Sequence, residues 1–221
     1  MNKFINMILL VLFFPTMLVT IYVGFDLPLG FLKVSGANLP FKEEIFLGLG
    51  LCIFILNIRR SVRRWMGVNI VSKTAKFKWT STVAKSRKTR VITYLILETC
   101  VMTFVGIALY KVSNYAWAPS LAFLIAAFDN LIFSVLGGVT NLYKVGLSSK
   151  ALIVADRDVI LLYFTGLRKV SIHQQSVYFD YVKGLQLSFP SDCIPEDKKP
   201  EFFKILEENI DSEKVFFSKT K

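Results

Sequence analysis

The sequence predicts an integral membrane all-α four-helix bundle plus a small cytoplasmic antiparallel β-rich domain with a C-terminal helix. Three observations lead to this fold class. Four long apolar stretches lie in a chain that is 53% hydrophobic over its 221 residues. One strongly basic segment follows the second stretch, and after residue 142 the pattern changes to short apolar runs separated by turn residues. We therefore divide the chain into a membrane domain, 1–142, and a β-rich domain, 143–221.

The four apolar stretches approach the roughly 20 residues that a helix needs to cross a hydrocarbon core of about 30 Å. We place the spans at about 4–23, 44–58, 91–110 and 120–140. The first span continues without a small-residue cleavage site, so we interpret it as uncleaved rather than as a signal peptide. The second is short for a crossing, which leaves two interpretations open: a helix with snorkelling arginines at one end, or a re-entrant segment.

The basic segment, 59–90, lies between the second and third spans and fixes the expected orientation. Its eleven basic residues are Arg59, Arg60, Arg63, Arg64, Lys73, Lys76, Lys78, Lys85, Arg87, Lys88 and Arg90. No acidic residue occurs between Glu44 and Glu98. Cytoplasmic loops carry an excess of Lys and Arg, so we expect this segment in the cytoplasm. Four crossings then place both termini there too, in what we expect to be a bacterial cytoplasmic (inner) membrane.

The same segment is the strongest candidate for contact with a ligand. Each Lys or Arg near an anionic leaflet contributes on the order of 1 kcal/mol. The arginines from Arg59 to Arg64 recur at helical spacing, so they form one charged face if the second span continues as a helix. The functional hypothesis is contact with anionic lipid or with an unknown protein partner; the alternative is a loop whose charge only fixes orientation. Nucleic acid is an unlikely partner, because no recognition module surrounds the charge.

Three polar residues are expected at membrane depth: Glu98 in the third span, and Asp129 with Asn130 in the fourth. No Lys or Arg lies within the predicted spans to pair with the two carboxyls. If the two spans pack as a hairpin, the carboxyls meet and share a proton. One hypothesis is therefore a proton or cation site. The alternative is a hydrogen-bonded contact that holds the helices together.

The fourth span also carries a stripe of small or polar residues at every fourth position. The stripe consists of Ala122, Ala126, Asn130, Ser134 and Gly138. Such a stripe lets helix backbones approach closely. It predicts helix packing within one chain or between chains, which leaves a homo-oligomer open. Asp129 flanks the stripe, so we expect it to face protein rather than lipid.

The tail predicts strands and then a helix. Short β-rich runs at 151–155, 159–164, 167–173, 177–182 and 185–189 alternate with Asp and Gly turns, which indicates an antiparallel meander. An amphipathic helix follows, because a proline suited to a first turn precedes an apolar stripe at helical spacing. Its residues are Pro200, Phe202, Phe203, Leu206 and Ile210, and a run at 215–217 is expected to dock back.

The strand order of the tail follows a loose consensus. It comprises Leu152–Val154, Asp156–Asp158, Val159–Tyr163, Gly166–Ile172 and Gly184–Leu187. This order resembles that of bacterial pleckstrin-homology-like domains attached to a membrane hairpin. The resemblance covers about a third of the chain, transfers no functional residue and implies a membrane-bound scaffold or adaptor. The tail is short for the seven-stranded domain of that family, which leaves a truncated or different β-rich fold open.

The leading hypothesis is thus a membrane-anchored scaffold or adaptor that binds a protein partner or anionic lipid headgroups. A small channel or proton/cation transporter-like protein using Glu98 and Asp129 is the first alternative. A membrane subunit of a stress or phage-defence operon is the second. The sequence has no phosphate loop, nucleophile elbow or ligand-spaced His/Cys/carboxylate cluster, and its one histidine, His173, lies in a predicted strand. We therefore expect neither an enzyme nor a cofactor or metal site.

Overall fold

The computed structural model describes residues 2–29, 34–173, 175–210 and 215–219, with all side chains except those of residues 2–6, 29, 183 and 219. The chain divides into two compact units. The first unit comprises residues 1–62 and 94–134, and the second comprises residues 63–93 and 135–221.

Four helices among the described residues are long and apolar enough to cross a membrane. They are α1 (Asn2–Gly24), α2 (Lys42–Ser72), α3 (Lys85–Val112) and α4 (Trp117–Val139). The shortest have 23 residues, which corresponds to about 35 Å and exceeds the hydrocarbon core. Large apolar side chains are exposed on their surfaces, for example Phe104 and Phe128, as expected where lipid rather than water surrounds a helix. The predicted four apolar helices are confirmed.

The helices extend beyond the predicted spans on both sides of the basic segment. α2 continues past residue 58 to Ser72, and α3 begins at Lys85, before residue 91. Apolarity sets where lipid ends, whereas the helix continues because arginine is a good helix former and apolar residues recur beyond it. Val68 and Val71 on this extension are buried in the second unit. The second span thus lies within one continuous helix of 31 residues.

The first unit packs its helices around large apolar side chains. Tyr22, Phe46, Ile53, Leu109 and Phe123 belong to one buried cluster. Small residues allow close approach between helices. A Cβ placed on Gly50 of α2 would lie 2.7 Å from the carbonyl carbon of Ala118 in α4. Between α1 and α2, two short strands, β1 (Pro28–Leu29) and β2 (Val34–Ser35), pair antiparallel.

The second unit contains two four-stranded sheets. The first has the order β3-β4-β5-β6 and is antiparallel throughout. Its strands are β3 (Trp79–Thr82), β4 (Lys144–Leu147), β5 (Ala151–Ala155) and β6 (Val159–Tyr163). β3 comes from the segment expected to be a basic loop, so this sheet joins residues from both sides of the α3–α4 pair. The sequence analysis missed β3 and β4.

The second sheet has the order β10-β7-β8-β9. Its strands are β7 (Leu167–Ile172), β8 (Ser176–Tyr181), β9 (Gln186–Pro190) and β10 (Phe216–Lys219). The first three form the predicted antiparallel meander, and β10 docks back onto β7 in parallel. The chain passes from one sheet to the other through Gly166, whose φ of +76° suits glycine.

A helix closes the second unit, as predicted. α5 (Lys199–Asn209) has Pro200 in its first turn and buries Phe202 and Leu206. The Phe202 ring lies 5.1 Å from the Trp79 ring of β3 and 5.9 Å from the Phe189 ring of β9. The core therefore needs β3 as much as it needs the tail. An antiparallel β region with a C-terminal helix is thus present, as the fold class predicted.

Candidate functional site

An ion pair joins α2 and α3 within the first unit. Arg60 and Glu98 face each other in a bidentate arrangement, with Arg60 Nη2 donating to Glu98 Oε2 at 2.9 Å and Nη1 donating to Oε1. The Arg60 side chain is 9% exposed and that of Glu98 is 20% exposed. Such a pair satisfies both charges at low cost only because the guanidinium fork matches the carboxylate.

The expectation that no cation lies within reach of Glu98 was therefore wrong. Arg60 lies just beyond the predicted end of the second span, on the continuation of α2. The helix carries Arg60 to the level of Glu98. A carboxylate already paired with arginine is a weaker candidate for a proton or cation site than two facing carboxyls.

The fourth helix turns its small residues inward. Four members of the stripe are buried: Ala122, Ala126, Asn130 and Ser134. Gly138, the fifth, is exposed. The Asn130 amide faces the Met102 sulfur of α3 at 3.8 Å. Asp129, beside the stripe, is half-buried. This burial is that of a helix-packing surface between α3 and α4.

The eleven basic residues predicted to contact a ligand divide by exposure. Those buried or half-buried are Arg60, Arg63, Arg64, Arg87 and Lys88. Those exposed are Arg59, Lys73, Lys76, Lys78, Lys85 and Arg90. The four arginines on α2 therefore do not form one exposed face. Several arginines serve internal contacts, whereas the lysines before β3 are exposed, with the Lys78 ammonium donating to Asn209 Oδ1.

Arg87 at the start of α3 holds a buried carboxylate. Its Nε and Nη2 both lie 3.0 Å from Asp156 Oδ2, and the Asp158 N–H donates to Asp156 Oδ1 at 3.2 Å. Asp156 is 1% exposed. Burial raises the pKa of the Asp156 carboxyl, and the Arg87 cation and these hydrogen bonds oppose that rise. The arrangement ties α3 to the β5–β6 turn.

A second pair reinforces this contact. Arg90 Nη1 donates to Asp192 Oδ2 at 2.9 Å, and Arg87 Nη1 lies 3.7 Å from Asp192 Oδ1. Sequence reasoning placed Asp156 in a turn but could not find its partner, because 69 residues separate it from Arg87. Neither aspartate was recognised as a functional or structural site.

The exposed lysines lie beside the β4–β5 turn. The Lys78 N–H donates to the Leu147 carbonyl at 2.9 Å, and Trp79 pairs with Leu147 in the sheet. Lys73 and Lys76 precede Lys78 in the short connection after α2, and all three are exposed. The second unit thus presents several cations at one end of its first sheet.

The outer face of the second sheet carries a polar cavity of about 600 Å³. It is lined by Lys169, Ser171, His173, Tyr178 and Asp180, among others. His173 is exposed just after β7, and its ring lies edge-on to Tyr178 at 5.2 Å. The Asp180 carboxylate accepts a hydrogen bond from the Gln186 amide at 2.8 Å. The sequence alone gave no sign of this cavity.

Comparisons with protein families, curated proteins and solved structures found no match to this chain.

Proposed function

We propose that this chain is a membrane-anchored adaptor. Four helices hold it in the bilayer, and a pleckstrin-homology-like domain binds an acidic protein partner or anionic lipid headgroups. The observation that carries the proposal is the division of the basic residues. Internal contacts engage Arg60, Arg87 and Arg90, while Lys73, Lys76 and Lys78 stay exposed before β3, with the Lys78 ammonium donating to Asn209 Oδ1.

The strand count supports the pleckstrin-homology-like assignment. Strands β3 to β9 make seven, arranged as an antiparallel sheet of four and an antiparallel meander of three, with α5 closing them. The tail looked too short for such a domain because its first strand precedes the α3–α4 pair. On this proposal the membrane hairpin is inserted between the first and second strands of the domain.

The orientation is part of the same proposal. The basic residues between α2 and α3 favour the cytoplasmic side of a bacterial inner membrane. Both termini then face the cytoplasm. Because exposed charges act within about one Debye length, near 8–10 Å, the adaptor recognises acidic groups that come close to the lysines.

The test uses the full chain in nanodiscs of zwitterionic lipid. Two probes are titrated at low salt: a polyglutamate peptide, and vesicles that contain phosphatidylglycerol. The variant Lys73→Gln/Lys76→Gln/Lys78→Gln is compared with Lys111→Gln/Lys144→Gln/Lys204→Gln, which removes the same charge elsewhere. With about 1 kcal/mol per lysine near an anionic surface, we expect the first variant to lose tenfold or more in affinity for at least one probe.

Higher salt should weaken binding by the wild-type chain, and the matched control should bind nearly as the wild type does. The proposal is wrong if neither probe binds at low salt, or if both triple variants lose the same affinity. Binding of polyglutamate alone would identify the acidic ligand as protein, and binding of vesicles alone would identify it as lipid.

A further inference from the structure

We infer that three neighbouring turns of the β-rich domain form a docking surface for an acidic protein segment that carries an apolar side chain. We call this the turn surface and define it by Lys150, Tyr163, Arg168, Val182 and Leu185. The inference rests on the proposed adaptor function, because it names the partner's chemistry and the place where the partner docks.

Backbone contacts hold the three turns together. The Phe164 N–H donates to the Lys150 carbonyl at 2.9 Å, which joins the β6–β7 turn to the β4–β5 turn. The Val182 N–H donates to the Gly166 carbonyl at 2.9 Å, which joins the β8–β9 connection to the same place. The turn surface is therefore a continuous, ordered part of the second unit.

The turn surface exposes three large apolar side chains. Tyr163, Val182 and Leu185 are 56%, 45% and 54% exposed. All three surround Tyr181, whose hydroxyl donates to the Tyr163 carbonyl at 2.7 Å and whose N–H donates to the Leu185 carbonyl at 2.8 Å. Single exposed apolar residues need no explanation, but a cluster on adjoining turns is typical of an interaction site.

Charge identifies the kind of partner. The stretches 148–151, 163–169 and 181–186 contain Lys150, Arg168, Lys169 and Lys183 and no acidic residue. Lys150 and Arg168 are exposed. The nearest acid along β8, Asp180, accepts a hydrogen bond from Gln186. An apolar centre within a cationic rim complements an acidic segment with an aliphatic or aromatic anchor.

The position within the sheet favours protein over lipid. Thr82 at the end of β3 leads into α3 and pairs with Lys144, which follows α4. Tyr163 pairs with Ala151 at the opposite end of these strands. The turn surface thus lies at the opposite end of the first sheet from the strand ends that lead into α3 and follow α4.

The test selects peptides from a random twelve-residue display library on the full chain in zwitterionic nanodiscs. Counter-selection uses empty zwitterionic nanodiscs, and the enriched peptides are then tested on the variant Val182→Asp/Leu185→Asp. We expect enriched peptides to carry Leu, Phe or Trp flanked by Asp or Glu. This variant should bind the enriched peptides at least tenfold more weakly than the wild type does. Adding Lys150→Glu/Arg168→Glu should lower the affinity further at low salt. Phe216→Asp, which changes an exposed apolar residue of β10, should bind them as the wild type does.

The outcomes separate this inference from the adaptor function. If polyglutamate or anionic vesicles bind through Lys73, Lys76 and Lys78 but the turn-surface variant binds every enriched peptide normally, the adaptor function stands and the docking surface is wrong. It is also wrong if no peptide is enriched, or if the variant loses binding only to phosphatidylglycerol vesicles. The milder variant Val182→Thr/Leu185→Ser should lower the affinity for the peptides severalfold. It keeps the test valid if Val182→Asp/Leu185→Asp misfolds.

Discussion

Arg60 of α2 and Glu98 of α3 form a bidentate ion pair between two helices that are each apolar enough to cross a membrane. Both residues belong to the first unit, and neither side chain is more than 20% exposed. The two partners differ in how they respond to the loss of the other. A carboxyl can neutralise itself by taking up a proton, whereas a guanidinium stays charged.

This asymmetry predicts the cost of breaking the pair. Glu98→Leu should destabilise the chain by about 3 kcal/mol because it removes the carboxylate that pairs with a buried arginine. Arg60→Leu should destabilise the chain less than Glu98→Leu does. The free energy of unfolding of the double variant should lie close to that of the wild type. Equilibrium unfolding in mixed SDS micelles, followed by circular dichroism, measures all three.

Two outcomes would contradict this structural role. One is equal stability of wild type and Glu98→Leu. The other is proton or cation flux through reconstituted vesicles that Glu98→Gln or Asp129→Asn abolishes, which would favour the transporter-like alternative instead.

Helix contacts in the first unit predict a second difference, between two glycines of α2. A Cβ on Gly50 would lie 2.7 Å from the Ala118 carbonyl carbon, whereas nothing lies within 4 Å of a Cβ on Gly48. Gly50→Ala should therefore destabilise the bundle by about 1–3 kcal/mol through overpacking. Gly48→Ala should be neutral or stabilise the helix by up to about 1 kcal/mol.

The same micelle unfolding measurement compares the two variants. Since the substitutions are chemically identical and two residues apart, helix propensity cancels between them. An equal effect at both positions would show that α2 and α4 do not approach closely at Gly50.

How much of this fold the sequence predicts depends on the range of the interactions involved. Apolar runs and alternation are local, so the four long helices, β5 to β9 and α5 were all found. β3 was missed although Trp79 and the threonines after it favour a strand, because a run of only four residues inside a basic segment gives a weak signal. Its partner strand lies more than sixty residues further along the chain.

The candidate sites were predicted less well than the fold. Residue types at membrane depth pointed to Glu98, but its pairing with Arg60 depends on where two helices end and how they pack. Composition alone pointed to the exposed lysines. The burial and pairing of Asp156 and the assembly of the turn surface, by contrast, depend on contacts between segments that are distant in sequence. Sequence reasoning therefore located the charge and missed what neutralises it.

The split sheet predicts which fragment folds on its own. The Val83 N–H donates to the Tyr143 carbonyl at 3.0 Å, so the two ends of the α3–α4 insertion lie side by side. Residues 63–93 joined by a short glycine linker to residues 135–221, which together make up the second unit, should unfold cooperatively and give a dispersed NMR spectrum. Residues 143–221 alone should not, because they lack Trp79 and the buried Val71. A cooperative transition in the shorter fragment would contradict the assignment of β3 to this sheet.

The Arg87–Asp156 pair predicts a pH-dependent stability. Arg87→Gln should cost about 3 kcal/mol at pH 7, since it leaves a buried carboxylate without its cation. Burial already raises the pKa of Asp156, and the loss of Arg87 should raise it further above the unfolded value of about 3.9. A folded state with the higher pKa binds more protons, so the stability of the variant should fall as pH rises from about 4 through that folded value. Asp156→Asn in the same background should remove this slope.

The measurement is urea unfolding of the full chain in detergent, followed by fluorescence of the buried Trp79 after Trp65→Phe and Trp117→Phe. Arg90→Gln is the matched control, because the Arg90 side chain is 53% exposed in its pair with Asp192. An exposed pair contributes at most about 1 kcal/mol, so this control should lose little stability and show no added pH slope. Two results would mean that Asp156 does not depend on Arg87 for its charge. One is an equal loss of stability in the two variants. The other is an Arg87→Gln variant whose stability does not change between pH 5 and pH 7, a range above the ordinary carboxyl pKa of about 3.9.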